Sequence, residues 1–191
     1  MSEQFLRLIP KPPRTEVALV KHCLRSKWRM RRHIAPEPER FIPREAIFGA
    51  GDHDATIHFV DEPLVGFPYV QVVGVDRDKV ASILRENVPF FTDEEIFQMW
   101  DQASSDEEHE AAAFHLGVAS PEHPAESFLT RMRKALQHPS AKVRLAAILA
   151  VGYRGWDEFE PLLAEMKTDD PDSDVRLRAE CMLEAMHQQR A

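Results

Sequence analysis

The sequence predicts a mostly α-helical protein, in which an α-solenoid of about three helix pairs follows a small N-terminal α+β unit. The main observation is a duplication, because residues 139–145 (PSAKVRL) recur 32 residues later as residues 171–177 (PDSDVRL). In addition, the segments after residue 91 have helical periodicity, whereas β-branched and aromatic runs lie before it. We therefore expect two domains, a small α+β capping domain over residues 1–90 and a helical repeat domain over residues 91–191.

The first elements are predicted from prolines and apolar spacing. Residues 6–14 contain three prolines and are expected to be extended. A helix is expected from Thr15 to about His33, because apolar residues three and four apart would form one stripe and basic residues cover the other side. The stripe consists of Val17, Val20, Leu24 and Trp28, and the basic side consists of Lys21, Arg25, Lys27, Arg29, Arg31 and Arg32.

A β-hairpin is predicted next, with strands at residues 56–60 and 67–73 that are rich in β-branched and aromatic side chains. Pro68 indicates an edge or a bulge at the start of the second strand. The first strand is expected to lie at an exposed edge, where it could pair with another chain. Asp76 is expected to cap a helix that ends before Pro89. No element is predicted for residues 34–55.

The helical domain is predicted as three pairs of helices, at residues 92–103 with 106–118, 124–137 with 140–153, and 157–167 with 173–188. Thr92 and Glu95 form the pattern of a capping box at the first helix. Leu129 and Met132 recur as Leu163 and Met166, which supports the alignment of the second and third pairs. Small residues would allow neighbouring helices to approach closely; they are Ala112, Ala146 or Ala147, and Ala179.

The repeated pattern also resembles a known family. Residues 140–147 (SAKVRLAA) and 172–179 (DSDVRLRA) resemble bacterial HEAT repeats, including the short type named after phycobilisome lyases. The resemblance covers about residues 92–190, with two clear repeats and a third, degraded one before them. It implies that the valine packs between helices and that Arg144 and Arg176 brace the contact between repeats. It says little about function.

Charge is distributed unevenly along the chain, whose net charge is −8. Residues 1–44 contain 11 basic and 4 acidic residues, whereas the rest contains 13 basic and 28 acidic residues. Such halves could contact each other or different partners, or the acidic part could serve only solubility. The N-terminus lacks the pattern of a secretory signal and no run is long enough to span a bilayer, so we expect a cytoplasmic protein whose Cys23 and Cys181 are reduced.

No catalytic, metal or cofactor site is predicted. The densest group of possible metal ligands consists of His53, Asp54 and His58, with Asp52 beside them. A polar turn that leads into a strand explains these residues better than a metal site does. Cys23 next to His22 could form a nucleophile pair, although Cys23 is expected to flank the core. Paired carboxylates at residues 94–95 and 107–108 begin helices, where they interact favourably with the helix dipole.

The predicted function is therefore a non-enzymatic protein-binding module with an acidic solenoid surface, acting as an adaptor or as an immunity-like inhibitor of a basic partner. Trp156 could be an exposed interface anchor or a buried residue that fastens the next helix. The predicted partner-binding residues are Tyr153, Trp156, Asp157, Glu158, Asp169, Asp170 and Asp172. The wider acidic surface also includes Asp106, Glu107, Glu108, Glu110, Glu160 and Asp174, which are expected to recur along one side.

Two other classes of function stay open. An enzyme subunit related to HEAT-like bilin lyases would bind a coloured tetrapyrrole. Alternatively, the basic helix at residues 15–33 could bind nucleic acid through its arginines and Trp28. The acidic charge elsewhere argues against nucleic acid, because its field would repel a polyanion. No membrane partner is expected.

Overall fold

The computed structural model describes residues 5–13, 15–40 and 42–188. Contacts divide the chain into two compact units, residues 1–92 and 93–191. In its described part the first unit holds five strands and two helices, and the second holds six helices. The chain is thus mostly helical, with a small sheet in its N-terminal unit.

The N-terminal unit is an antiparallel sheet with its core on one face. The strands lie in the order β1-β5-β4-β3-β2. Ile57 and Phe59 in β4 and Val70 and Val72 in β5 alternate with more exposed residues, so their side chains share one face, as the period of a strand requires. The strands are β1 (Phe5–Leu8), β2 (Met30–Ile34), β3 (Arg44–Gly49), β4 (Ala55–Glu62) and β5 (Phe67–Gly74), and the helices are α1 (Thr15–Arg25) and α2 (Arg77–Asn87).

The predicted hairpin is confirmed as β4 and β5, but its place in the sheet differs from the prediction. β4 pairs with both β3 and β5, so the expectation of an exposed edge strand at residues 56–60 is wrong. β3 comes from residues for which no element was expected, and it provides the missing neighbour. Pro68 lies beyond the end of β1, which pairs only as far as Val70, so β5 has a single neighbour there.

The predicted helix at residues 15–33 is wrong in its second half. α1 ends at Arg25, and Lys27 has a φ of 57°, which a continuing α-helix does not allow. The chain then reverses into β2, which pairs with β3. The buried face is also displaced from the predicted stripe, because Leu19 and Cys23 are in the core whereas Val17 and Leu24 are 50% and 69% exposed.

The C-terminal unit contains the three helix pairs that the sequence predicts. Within each pair the two helices pack together, and the second helices stack on one another, α4 on α6 and α6 on α8. Ser105 and Glu108 form a capping box at α4. The helices are α3 (Asp93–Gln102), α4 (Asp106–Ala119), α5 (Glu126–Leu136), α6 (Ala141–Val151), α7 (Glu160–Asp169) and α8 (Ser173–Gln188).

None of the helices in the described residues is both long and apolar enough to cross a membrane.

The stacking of α4 on α6 depends on a glycine. A β-carbon at Gly117 would lie 2.5 Å from the carbonyl oxygen of Ala150. Because that neighbour is backbone, alanine at this position would push the two helices apart. We expect Gly117→Ala to lower the free energy of unfolding by about 1–2 kcal/mol more than Gly152→Ala, measured by urea unfolding. The control residue differs because its added methyl would meet chiefly the end of the Met182 side chain, which can move.

Candidate functional site

One position at the start of each second helix contacts the turn of its own pair, and in the first two pairs it also contacts the next repeat. It lies four residues after the residue that caps the helix, and it is occupied by His109 in α4, Arg144 in α6 and Arg176 in α8. Side chains at this point of the first turn can reach the turn between the two helices of a pair. The three turns are therefore connected along one edge of the unit, which we call the turn edge: residues 101–109, 137–144 and 165–176.

Arg144 makes the strongest link. Its Nε and Nη2 donate to the two carboxylate oxygens of Asp170, each at 2.8 Å, and both side chains are buried. Its Nη1 donates to the carbonyl oxygens of His138 and Pro139 at 2.8 and 2.9 Å. The guanidinium thus holds its own turn and the turn of the next repeat together, with the bidentate geometry that makes such pairs strong.

Arg176 repeats half of this arrangement. Its Nη1 donates to the carbonyl oxygens of Asp170 and Pro171, the residues that correspond to His138 and Pro139. The role that the resemblance to HEAT repeats implies for the two arginines is therefore seen in the structure for Arg144, which connects two repeats. Arg176 braces the turn of its own repeat.

The corresponding link between the first two repeats is made of histidines. The rings of His109 and His138 have their centroids 4.6 Å apart, and Trp100 packs edge-on against His109 at 4.9 Å. His138 occupies the position that Asp170 occupies in the third repeat, immediately before the proline of the motif. His138 Nδ1 accepts a hydrogen bond from the backbone N–H of Ser140, so the ring is held as a neutral imidazole.

This contact predicts a dependence of stability on pH. Burial lowers the pKa of His138, the neighbouring His109 and Arg144 add to this effect, and Asp106 opposes it. The unfolded state therefore binds the proton more readily than the folded state, and stability must fall as the pH drops below the ordinary histidine value of about 6.5. We expect urea unfolding between pH 5 and 7 to show this slope, and His138→Gln to flatten it. Part of the slope will remain, because burial also lowers the pKa of His22 and His115. An unchanged slope in the variant would contradict the assignment.

Comparison with protein families agrees with this geometry. Residues 94–184 match the family model for HEAT repeats, a segment just under half of the chain. The C-terminal unit is HEAT-like. No curated protein and no solved structure matches the chain. The family match covers all three pairs of the HEAT-like unit, including the first, whose sequence pattern is the weakest.

Two of the predicted partner-binding aspartates are used within the HEAT-like unit itself. Asp170 is buried in the ion pair with Arg144 and also accepts a hydrogen bond from the backbone N–H of Asp172. Although burial by itself raises the pKa of Asp170, the hydrogen bonds from Arg144 and Asp172 outweigh it and hold the pKa below its usual value. Asp172 caps α8 by accepting from the N–H groups of Asp174 and Val175. Asp170 is thus not available to a partner.

The predicted aromatic anchor is also internal. Trp156 is 6% exposed and stacks on Phe159, with ring centroids 6.0 Å apart and planes inclined by 18°. This corresponds to the second of the two interpretations, a buried residue that fastens the next helix. Tyr153 is half-buried, whereas Asp157, Glu158 and Asp169 are exposed. The binding roles of these four residues stay predictions.

The acidic residues that were predicted to bind a partner do not lie along one side of the HEAT-like unit. Asp157 and Glu158 precede α7, and Asp169 ends it. A helix of ten residues is about 15 Å long, so the two groups lie at opposite ends. The reason is that the turn within a pair and the turn between pairs alternate along the chain, and only turns of one kind share an edge.

The turn edge carries exposed carboxylates without ionic partners. The HEAT-like unit, residues 93–191, contains 20 acidic and 10 basic residues. Several exposed acids of the turn edge form no ion pair with any described residue. These residues, which we call the turn-edge acids, are Asp106, Glu107, Glu165, Asp169 and Asp174. Sequence reasoning included four of them in its acidic surface and missed Glu165.

The basic segment of the N-terminal unit is divided between two elements. Lys21 and Arg25 are exposed on α1, whereas Arg31 and Arg32 are exposed on the edge strand β2. Trp28 is buried, with its ring edge-on to His22 at 5.1 Å, so it is not presented for stacking on a base. The continuous basic helix on which the nucleic-acid hypothesis depended is absent from residues 15–40.

The other candidate chemistry is accounted for by packing. His58 Nδ1 contacts Glu45 Oε1 at 2.6 Å, and its Nε2 contacts Thr56 Oγ1 at 2.8 Å. Within the described ranges no three His, Cys, Asp or Glu side chains are grouped closely enough to hold a metal ion. Cys23 lies in the core, not at its flank, and burial raises the pKa of its thiol to about 12, which keeps it protonated at neutral pH.

Proposed function

We propose that the protein is a non-enzymatic protein-binding module, whose turn edge receives a basic surface of a partner protein. HEAT repeats are commonly protein-interaction modules, and the match to them supports this class of function. The observation that carries the proposal is the set of turn-edge acids, which are exposed and form no ion pair with the described residues.

The linked turns support the same edge. Neighbouring turns are fixed to one another by the ion pair of Arg144 with Asp170 and by the contact between the rings of His109 and His138. The carboxylates on these turns are therefore held at set spacings. A rigid charged surface loses little conformational freedom on binding, which favours affinity. Charge complementarity would also speed the encounter with a basic partner. The module would act as an adaptor or as an immunity-like inhibitor, and the partner's identity decides between these roles.

We also propose that the protein works in the cytoplasm. Cys23 and Cys181 are free thiols, as expected of a protein from a reducing compartment.

Affinity capture from the native host tests the proposal. We would compare the wild type with a turn-edge variant, Asp106→Lys with Asp169→Lys, and with a matched variant of exposed acids away from that edge, Glu158→Lys with Glu184→Lys. We expect the wild type and the matched variant to capture one basic protein stoichiometrically. Association of that protein with the turn-edge variant should be slower by about tenfold or more.

Three other results would overturn it. Equal capture by both variants would show that the turn edge does not bind. Nucleic acid in the eluate, with binding that weakens steeply as salt rises, would favour the basic segment instead. A visible tetrapyrrole absorbance would favour the alternative of a bilin-lyase-like enzyme subunit.

A further inference from the structure

A cleft opens on the turn edge between the second and third repeats. It has a volume of about 310 Å³ and lies between the end of α5 with its following turn and α7. Most of its wall is apolar, and this part consists of Leu136, Pro139, Leu162, Met166 and Pro171. Such a wall favours an apolar ligand group, because it has no hydrogen bonds to offer.

The buried ion pair of Arg144 and Asp170 also lines the cleft. Arg144 is already donating to both carboxylate oxygens of Asp170 and to two backbone carbonyls. Four of its five N–H groups are therefore used, and the positive charge has a buried counter-charge at 2.8 Å. An anionic ligand would find no open cation here, although an arginine lines the cleft.

The rim of the cleft is acidic. Glu165 and Asp169 line it, are exposed, and form no ion pair with any described residue. The nearby Lys167 is engaged with Glu180 at 2.9 Å. A ligand that enters the apolar interior therefore passes close to two uncompensated negative charges, which lie four residues apart on one face of α7 and favour positive charge next to the entering group.

We propose that this cleft holds one apolar side chain from an extended segment of the partner, and that lysine or arginine residues flank that side chain. This inference rests on the proposed function, because it names the part of the partner that the turn edge would recognise. The volume suits one side chain, since a 150 Å³ apolar cavity in another protein already accommodates benzene. A phenylalanine therefore fits with room for its backbone attachment.

Binding of defined peptides tests the cleft directly. Three fluorescein-labelled heptapeptides would be compared by anisotropy: phenylalanine between three lysines on each side, the same peptide with a central alanine, and phenylalanine between glutamates. We expect the lysine peptide with phenylalanine to bind at least about tenfold more tightly than its alanine counterpart, because only the aromatic ring fills the cleft. The glutamate peptide should not bind.

Variants separate the interior from the rim. Leu162→Trp, which fills the cleft, should abolish the preference for phenylalanine and keep the weak binding of both lysine peptides. Glu165→Lys with Asp169→Lys should abolish the binding of both, whereas Glu158→Lys with Glu184→Lys should leave the preference unchanged. In case Leu162→Trp does not fold, methyl NMR of the wild type provides a second test, with a shift expected for the Met166 methyl and none for Met186, which is buried outside the cleft lining.

The results distinguish this inference from the proposed function. If the phenylalanine and alanine peptides bind equally, or if the Met166 methyl does not shift, the cleft is not the site. If both lysine peptides bind equally to the wild type and neither binds to the Glu165→Lys/Asp169→Lys variant, the acidic edge binds basic chains without using the cleft. The proposed function then stands. If no peptide binds to the wild type, the cleft proposal is wrong, and the capture experiment alone decides the proposed function.

Discussion

Replacing Asp170 with alanine is expected to lower the free energy of unfolding of the HEAT-like unit by about 3–5 kcal/mol. The substitution leaves the buried guanidinium of Arg144 without its counter-charge, and the backbone N–H of Asp172 without its acceptor. Removing one member of a buried pair costs more than the pair itself contributes, because the remaining charge must stay desolvated. Urea unfolding followed by far-UV circular dichroism would measure the loss.

An exposed ion pair in the same unit provides the control. Lys167 and Glu180 are 2.9 Å apart but both lie in solvent, so Glu180→Ala should cost less than about 1 kcal/mol. Because the pKa of Asp170 is lowered in the folded state, its contribution is present above about pH 4 and is lost as the pH falls through that lowered value. A loss below about 1 kcal/mol in Asp170→Ala would show that the pair does not hold the repeats together.

Replacing Trp156 with alanine is expected to cost about 3–5 kcal/mol, since it removes a large buried side chain that stacks on Phe159. Trp156→Phe should cost much less. The phenylalanine keeps an aromatic ring at this position and removes an indole N–H that is buried without a hydrogen-bond partner among the described residues. Thermal or urea unfolding of the two variants would measure the difference.

Binding by the same variants separates the two interpretations of Trp156. If Trp156 is a buried residue that only fastens the next helix, Trp156→Phe should keep partner binding in proportion to its folded fraction. If Trp156→Phe folded as well as the wild type and yet lost the partner, the tryptophan would be an interface anchor, and the account of this residue would be wrong.

The helix pairs could be predicted because their signals are local. The second helices of the last two pairs each begin after a capping residue and carry a valine and an arginine in the first turn, and the 32-residue repeat places these features twice. β4 and β5 were likewise evident from runs of β-branched and aromatic residues with a turn between them. These segments need no knowledge of distant contacts, so the sequence alone identifies them.

The errors concern residues whose environment is set by distant parts of the chain. β2 is an exposed edge strand without alternation of buried and exposed side chains, so its arginines looked like the outer face of a longer helix. Asp170 stands among exposed acids in the sequence, and only a guanidinium 26 residues away makes it internal. The correspondence of His138 and Asp170, each before the proline of its repeat, is the signal that could have indicated this contact.

Hydrogen–deuterium exchange with and without the captured partner tests the central claim most directly. If the turn edge of the HEAT-like unit is the binding surface, protection should appear at residues 101–109, 137–144 and 165–176, and the turn at residues 152–158 should exchange as in the free protein. Protection confined to residues 152–158, or to β2 and the end of α1 in the N-terminal unit, would contradict the account.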